Sequence, residues 1–210
     1  MRHTPAHAVD DEQTVRRLIA ENPWATIVSN NDGELVASHY PVLLDERDDG
    51  RLAIVTHVGR PDDQVHDLGS GEVLLIIAGV SGYISPSWYS GIPHRAPTWN
   101  FSVAHCYGVP ELLEPDENLR VLTRLVAHFE QHVDDPAYLD PEVGARLAPG
   151  TVGLRLPITR FVCKVKMSQD KDPQSQQQVL AALRRPGAYQ HPALADAMER
   201  VFEGGRRGGV

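Results

Sequence analysis

The sequence predicts a mainly β domain with peripheral helices, an antiparallel barrel in outline, and three observations carry that prediction. Short runs of β-formers recur at hairpin spacing between Trp24 and Lys166, separated by turn clusters such as Asn30-Asn31-Asp32-Gly33. Helical periodicity is confined to an opening segment, a central one and the C-terminal part. The 210 residues, 41% of them hydrophobic, suffice for one well-filled core with small appendages. Residues 1–185 read as that domain, and residues 186–210 as a C-terminal helical extension and tail.

Each element has its own warrant. Asp10 and Asp11 offer an N-cap before Val15, Leu18 and Ile19, and Asn22-Pro23 stops the helix they begin. Trp24 to Ser29 and Glu34 to Leu44 read as a hairpin. Arg51 to Val58 alternates, which puts His57 on the face of Ala53 and Val55. The unbroken apolar run Val73 to Ala78 predicts a strand covered on both faces. Thr98 to Gly108 is a further strand that lines up Trp99, Phe101, Val103, His105 and Tyr107. Leu119, Leu122, Leu125, Val126 and Phe129 mark an amphipathic helix over Glu117 to Val133. Thr151 to Lys166 returns to strand character, interrupted at Pro157. Helices over Gln174 to Arg185 and Ala193 to Phe202 flank the breaker Pro186-Gly187, and Gly204 to Val210 reads as a frayed tail.

Composition excludes several functions. A net charge of −8 disfavours a phosphate-backbone partner, and the arginines near the C-terminus are too dispersed for a recognition helix. Nucleic acid is therefore not expected as a partner. No apolar run approaches the ~20 residues of a membrane span, so a soluble protein is expected. Cys106 and Cys163 have no C-x-x-C spacing and no leader precedes them, pointing to a reducing cytoplasm. Walker, nucleophile-elbow and dinucleotide-binding motifs are absent. His128 and His132 lack the metalloprotease His-Glu-x-x-His arrangement and belong on a polar flank, while His3 and His7 fall in a terminus expected to be mobile.

Gly82-Tyr83-Ile84-Ser85-Pro86-Ser87-Trp88-Tyr89, followed by Pro97-Thr98-Trp99-Asn100-Phe101, is a poor composition for a plain core strand. Its aromatic rings, hydroxyls and amide suit a flat, partly polar ligand.

The same segments carry a resemblance. Ala37-Ser38-His39-Tyr40-Pro41-Val42-Leu43-Leu44, Thr56-His57-Val58-Gly59-Arg60, Tyr83 to Tyr89, Pro97 to Asn100, Ile158-Thr159-Arg160 and Lys164 to Gln169 resemble, in order, the PaiB family. That resemblance implies a flavin-reductase-like split antiparallel β-barrel, a homodimer, and FMN binding or transcriptional regulation. The chain departs from the family pattern at Asp62-Asp63-Gln64-Val65 and at Ile77-Ala78-Gly79-Val80, and the two carboxylates sit badly beside a flavin phosphate. A branch similar to PaiB, the piperazate synthases, binds heme b instead and forms an N–N bond in N5-hydroxyornithine. The likeness to that branch makes heme b the expected cofactor, with FMN as the alternative, and a small amino-acid-like substrate.

The expected site follows from that chemistry. A heme needs a neutral imidazole in an apolar wall, for which His57 is the first candidate metal ligand, His105 the second and His39 the third. Any strand histidine taken alone more often bonds a neighbouring backbone group. Arg60 closes the strand and would hold an anionic cofactor group, unless it pairs with Asp62 or Asp63. Arg95 and Lys164 are further cofactor contacts, Lys164 and Lys166 otherwise guarding a strand edge. Trp88, Tyr89 and Trp99 would stack on the cofactor, or line a dimer interface. Asp62 and Asp63 would receive a cationic substrate, or form an N-cap and acidic first turn. His39, His66 or an acidic side chain would serve as base.

Overall fold

The computed structural model describes residues 1, 4–45, 50–91 and 96–207, with side chains described through residue 204. Among the described residues ten strands and six helices follow in order: β1 Ala8–Val9, α1 Glu12–Glu21, β2 Trp24–Asn31, β3 Glu34–Pro41, β4 Leu43–Leu44, β5 Ala53–Gly59, α2 Asp62–Val65, β6 Val73–Ile84 and β7 Thr98–Gly108. The chain continues with β8 Glu111–Leu112, α3 Pro115–Glu130, α4 Pro141–Leu147, β9 Thr151–Pro157, β10 Arg160–Lys166, α5 Pro173–Arg184 and α6 Pro192–Arg207. One sheet has the order β1-β10-β7-β6-β2-β3 and the other β4-β5-β9-β8.

Two compact units divide the chain: Met1–Asp10, Ala78–Val103 and Cys163–Val210 form one, and Asp11–Ile77 with Ala104–Val162 the other. Strands β6, β7 and β10 run through both.

In the second unit α1 starts where expected, because Asp11 accepts from the backbone N–H groups of Gln13 and Thr14. The hairpin of β2 and β3 pairs from Trp24↔Pro41 to Asn31↔Glu34, turning at Asp32 and Gly33, both at positive φ. Its second strand does not run on to Leu44 as expected. The chain leaves the hairpin at Pro41, and β4 pairs with β5 instead. β5 pairs along its length with β9, from Ala53↔Pro157 to Gly59↔Thr151. Val55, Leu43, Val121 and Leu125 form one buried cluster, so α3 lies on the Val55 face of this sheet. Asp45, a buried carboxylate, accepts from Arg155 Nε at 2.7 Å and from Arg124 at 3.3 Å, and Arg155 also donates to Glu117 at 2.6 Å. Hydrogen-bonded in this way, the ion pairs tie α3 to β9. Gly108 is obligatory, since a Cβ there would lie 2.0 Å from the carbonyl oxygen of Pro157.

Three expectations change here. Val73, Leu75 and Ile77 are buried, but Leu74 and Ile76 are only partly so, which makes this stretch a strand covered mainly on one face. α3 begins two residues earlier than expected and ends three earlier. α4 was not anticipated, although Asp140 caps it through the N–H groups of Glu142 and Val143 and Pro141 occupies its first turn.

In the first unit α5 and α6 share a core of Val179, Leu180, Leu183, Leu194, Met198 and Phe202 with Ile84 and Met167. The helix expected to fray from Gly204 continues to Arg207, and the remaining residues lie outside the described ones. His7, expected on a mobile terminus, is buried beside β1, which pairs with β10 at Ala8↔Lys164. That pairing also overturns the edge-strand role of Lys164, because β1 covers the edge.

Candidate active site

The functional groups of the second unit gather where β5 ends. β5 delivers His57 and Arg60, a cis peptide leads into Pro61, and α2 begins at once with Asp62 and Asp63. Both aspartates thus fill the first turn as expected, with Pro61 at the N-cap position.

Behind α2 lies a closed polar chain. His66 is buried, with Nδ1 2.8 Å from Ser29 Oγ and Nε2 2.9 Å from Ser38 Oγ. Ser38 Oγ donates to Asp62 Oδ2 at 3.1 Å, and the Tyr40 hydroxyl donates to the same oxygen. These contacts fix every proton. Ser38 gives its only hydrogen to the carboxylate, so it must accept from His66 Nε2–H, and His66 Nδ1 then accepts from Ser29. Burial lowers the His66 pKa, opposed by the Asp62 charge, so the ring stays neutral as that pattern needs. Burial, then the hydrogen bond it donates to Asp62, pushes the Tyr40 phenol up to about 12.

On the other face of β5 the groups are not closed. His57 follows Val55 on the side covered by α3, and burial holds its pKa below the ordinary value. Its Nδ1 is buried without a hydrogen-bond partner among the described residues, as are Asp63 Oδ1 and Asn118 Oδ1. Arg60, half-exposed, pairs with Asp63 at 3.1 Å. A cavity of about 430 Å³ is lined by Arg60, Asn118 and Gly153 with an apolar wall that includes Leu113, Leu119 and Val152; His57 and Asp63 are not among its lining residues. Its size suits a cofactor or small substrate.

The remaining expected residues fall elsewhere. His39 is exposed on the hairpin, its Nδ1 2.9 Å from Thr26 Oγ1 and its ring stacked on Trp24 at 6.3 Å, so it does not join the His66 chain. His105 lies on β7, its pKa lowered by burial. In the first unit Trp88 and Trp99 both meet Tyr83 edge-on, at 6.4 and 6.5 Å, and Tyr189 completes the group at 5.1 Å from Tyr83. Tyr89 departs from its neighbour: it is buried, with its hydroxyl 3.4 Å from Ser168 Oγ. Lys164 reaches Thr4 Oγ1 at 3.2 Å and lies 5.8 Å from the Phe101 ring centroid. Arg95 lies outside the described residues. Among the described residues no three His, Cys, Asp or Glu side chains converge as a metal site.

Sequence reasoning missed Ser29, Ser38, Tyr40 and Asn118. Ser38 and Tyr40 alternate on one strand, which was a signal for a shared face. Asn118 gave none.

Comparison with known proteins decides the family. Residues 1–160 match the family described as "Putative FMN-binding domain". The chain belongs to this family. It is 28% identical over 195 residues to the Bacillus subtilis "Protease synthase and sporulation protein PAI 2", covering 91% of this chain and 93% of that protein. A Saccharomyces cerevisiae protein, "Uncharacterized protein YKL070W", is 31% identical over 116 residues, 51% of this chain and 69% of its own. The FAD and heme binding protein from Mycobacterium smegmatis superposes with a TM-score of 0.57 at 16% identity, over 76% of this chain and 73% of that one. The flavocytochrome Anf3 from Azotobacter vinelandii gives 0.59 at 16% identity, over 79% and 72%. The PaiB-like assignment and the α+β split-barrel fold class thus stand, with two antiparallel sheets and peripheral helices. No described helix is long and apolar enough to cross a membrane.

Proposed function

We propose that this PaiB-like chain is a heme-dependent cyclase, similar to piperazate synthases, that closes the N–N bond of piperazic acid from N5-hydroxyornithine. The observation that supports this most is His57, a half-buried imidazole whose pKa burial lowers, with Nδ1 buried and unpartnered among the described residues, on the strand that leads to Arg60 at an apolar-walled cavity. Those properties suit a side chain that would hold a heme iron. Heme b is the group they fit, with Arg60 as partner for a propionate. Two solved structures of this fold, the FAD and heme binding protein from Mycobacterium smegmatis and the flavocytochrome Anf3, support the fold's compatibility with that group.

When bound, the heme supplies a Lewis-acidic iron that weakens the N–O bond of the hydroxylamine. The chain's own groups do the rest. Asp63 Oδ1, buried and unpartnered, accepts from the substrate's α-ammonium and orients it. The α-amine must lose that proton before its lone pair forms the N–N bond, and the hydroxyl leaves as water after gaining one. One proton is given and one taken, so no reductant is consumed. We assign the base to Asp62, whose Oδ2 accepts from Ser38 and from the Tyr40 hydroxyl.

FMN is the second reading, favoured by the family match and by the half-exposed Arg60 guanidinium, which would meet a phosphate. Asp62 and Asp63 beside it count against an added dianion. A homodimer is expected to bury the outward face of the hairpin, where Trp24 is 62% and Leu35 75% exposed. We expect a cytoplasmic location, with which two buried cysteines far apart in sequence, Cys106 and Cys163, are compatible.

The deciding experiment is the visible spectrum of untagged protein from cells supplied with a heme precursor, repeated for His57→Ala. A Soret band that vanishes or shifts in the variant, with turnover of N5-hydroxyornithine by the wild type, supports the cyclase. A flavin spectrum with no Soret band returns the chain to FMN-dependent chemistry.

A further inference from the structure

The aromatic motif read from the sequence belongs to the first unit and takes no part in the proposed reaction. There Tyr83, Trp99 and Tyr189 wall a cavity of about 310 Å³, which Gly82 and His191 also line. Tyr83 meets both other rings, Trp99 at 6.5 Å and Tyr189 at 5.1 Å between centroids, yet Trp99 stays 52% and Tyr189 58% exposed. Neither ring is part of the core shared by α5 and α6, so packing of the fold does not account for them.

His191 supplies the polar group. It immediately precedes α6, and its Nδ1 accepts from the Leu194 backbone N–H at 3.4 Å, so in the neutral ring the hydrogen sits on Nε2. A Cβ on Gly82 would lie 3.2 Å from His191 Cδ2 and 4.0 Å from Nε2, which shows that this edge of the imidazole is the one turned to Gly82. Among the described residues Nε2 bonds to nothing, and unlike His57 Nδ1 it is not sealed from solvent. Its N–H is therefore an open donor on the cavity wall.

The lining decides the charge of what fits. No Lys, Arg, Asp or Glu lines the cavity, so an ion entering it would find no counter-charge. An organic cation, which aromatic rings alone can attract, would be opposed by the His191 N–H. The volume stands at the small end of the roughly 300 to 1,000 Å³ of ligand pockets, which suits one or two fused rings rather than a macrocycle.

We propose that this cavity binds a neutral, flat nitrogen heterocycle of one or two rings, a nucleobase in chemical type, packed against Tyr189 and Trp99 with a carbonyl or ring-nitrogen acceptor on His191 Nε2–H. The inference does not rest on the heme reading, since it uses no residue of the second unit.

The test is calorimetric titration of the full chain at pH 7.5 with inosine, an uncharged two-ring lactam, which is expected to bind saturably at one site. Tyr189→Ala and Trp99→Ala, both at exposed positions, each weaken that binding about 5- to 150-fold, the range for losing one ring from a base stack. His191→Asn keeps an N-cap acceptor for α6 and removes the ring N–H, so it weakens inosine about 3- to 10-fold and leaves indole, which offers no acceptor, unchanged. Circular dichroism matching wild type reports that each variant is folded. No saturable heat with inosine, choline binding in its place, or wild-type affinity in both alanine variants overturns the site, and an inosine affinity unmoved in His191→Asn overturns the assigned donor. Hemin that competes with inosine would show one site where two are argued and overturn the proposal as well.

Discussion

His66, buried, and His57, half-buried, are both imidazoles reached by β5 and α2, and they differ most in how their ring nitrogens are bonded. His66 has a serine on each nitrogen and a carboxylate beyond one of them, whereas His57 has a buried Nδ1 that bonds to nothing described. Leaving a buried polar atom unmade costs more than a made bond gains. A chain that tolerates this cost at one histidine and removes it at another has separated its roles: His66 holds the site together, and His57 is kept ready for something that binds.

That contrast is broken or sharpened most strongly at His66. His66→Leu strands the Ser29 and Ser38 hydroxyls and removes the middle of a coupled network, so a loss of about 3 kcal/mol in unfolding free energy is expected. Urea denaturation measures it, and a loss below 1 kcal/mol would mean the chain of hydrogen bonds is not structural. Ser38→Ala comes next, at about 2 kcal/mol, because His66 Nε2–H loses its acceptor while Asp62 keeps Tyr40. The two substitutions should fall well short of additivity in the double variant, as they sever one network.

The sequence made the frame of this region legible and its wiring illegible. β5 and the face of His57 follow from alternation, and the motif Thr56 to Arg60 marked the strand end. Asp62 and Asp63 were readable as a first turn because Pro61 breaks the strand before them. Ser29 could not be read, and Ser38 only as sharing a face with Tyr40, since their pairing depends on the register Ile27↔Ser38 and Ser29↔Val36, which nothing local dictates. The aromatic motif shows the same limit. Trp88 and Tyr89 are adjacent yet part, one meeting Tyr83 and the other turning into a core with Met167, because the 3-10 turn Pro86–Trp88 ends between them.

Tyr40 offers a test by pH. Its pKa is raised from 10.0 to about 12, burial first and Asp62 second, so the folded state keeps a proton that the unfolded chain releases earlier. The stability this contributes is full below pH 10 and is lost as pH rises from 10 towards about 12. Tyr40→Phe is expected to cost about 1 kcal/mol at neutral pH and to flatten that alkaline limb. An alkaline limb as steep in the variant as in wild type would place the phenol outside the network.

The smallest effect is the most telling. His57→Leu removes a poorly satisfied polar group from a site walled by Val55 and its cluster, so unfolding free energy should stay within about 1 kcal/mol of wild type at pH 7.5. Burial depresses the His57 pKa, so the stability linked to its neutral form is present above the ordinary 6.5 and is lost as pH falls through the folded-state value. The leucine variant lacks that loss, and its stability relative to wild type should rise on acidification. If the substitution instead costs as much as His66→Leu, His57 is a structural residue and the contrast between the two histidines collapses. If stability holds while hemin binding disappears, the imidazole is kept for a ligand rather than for the fold.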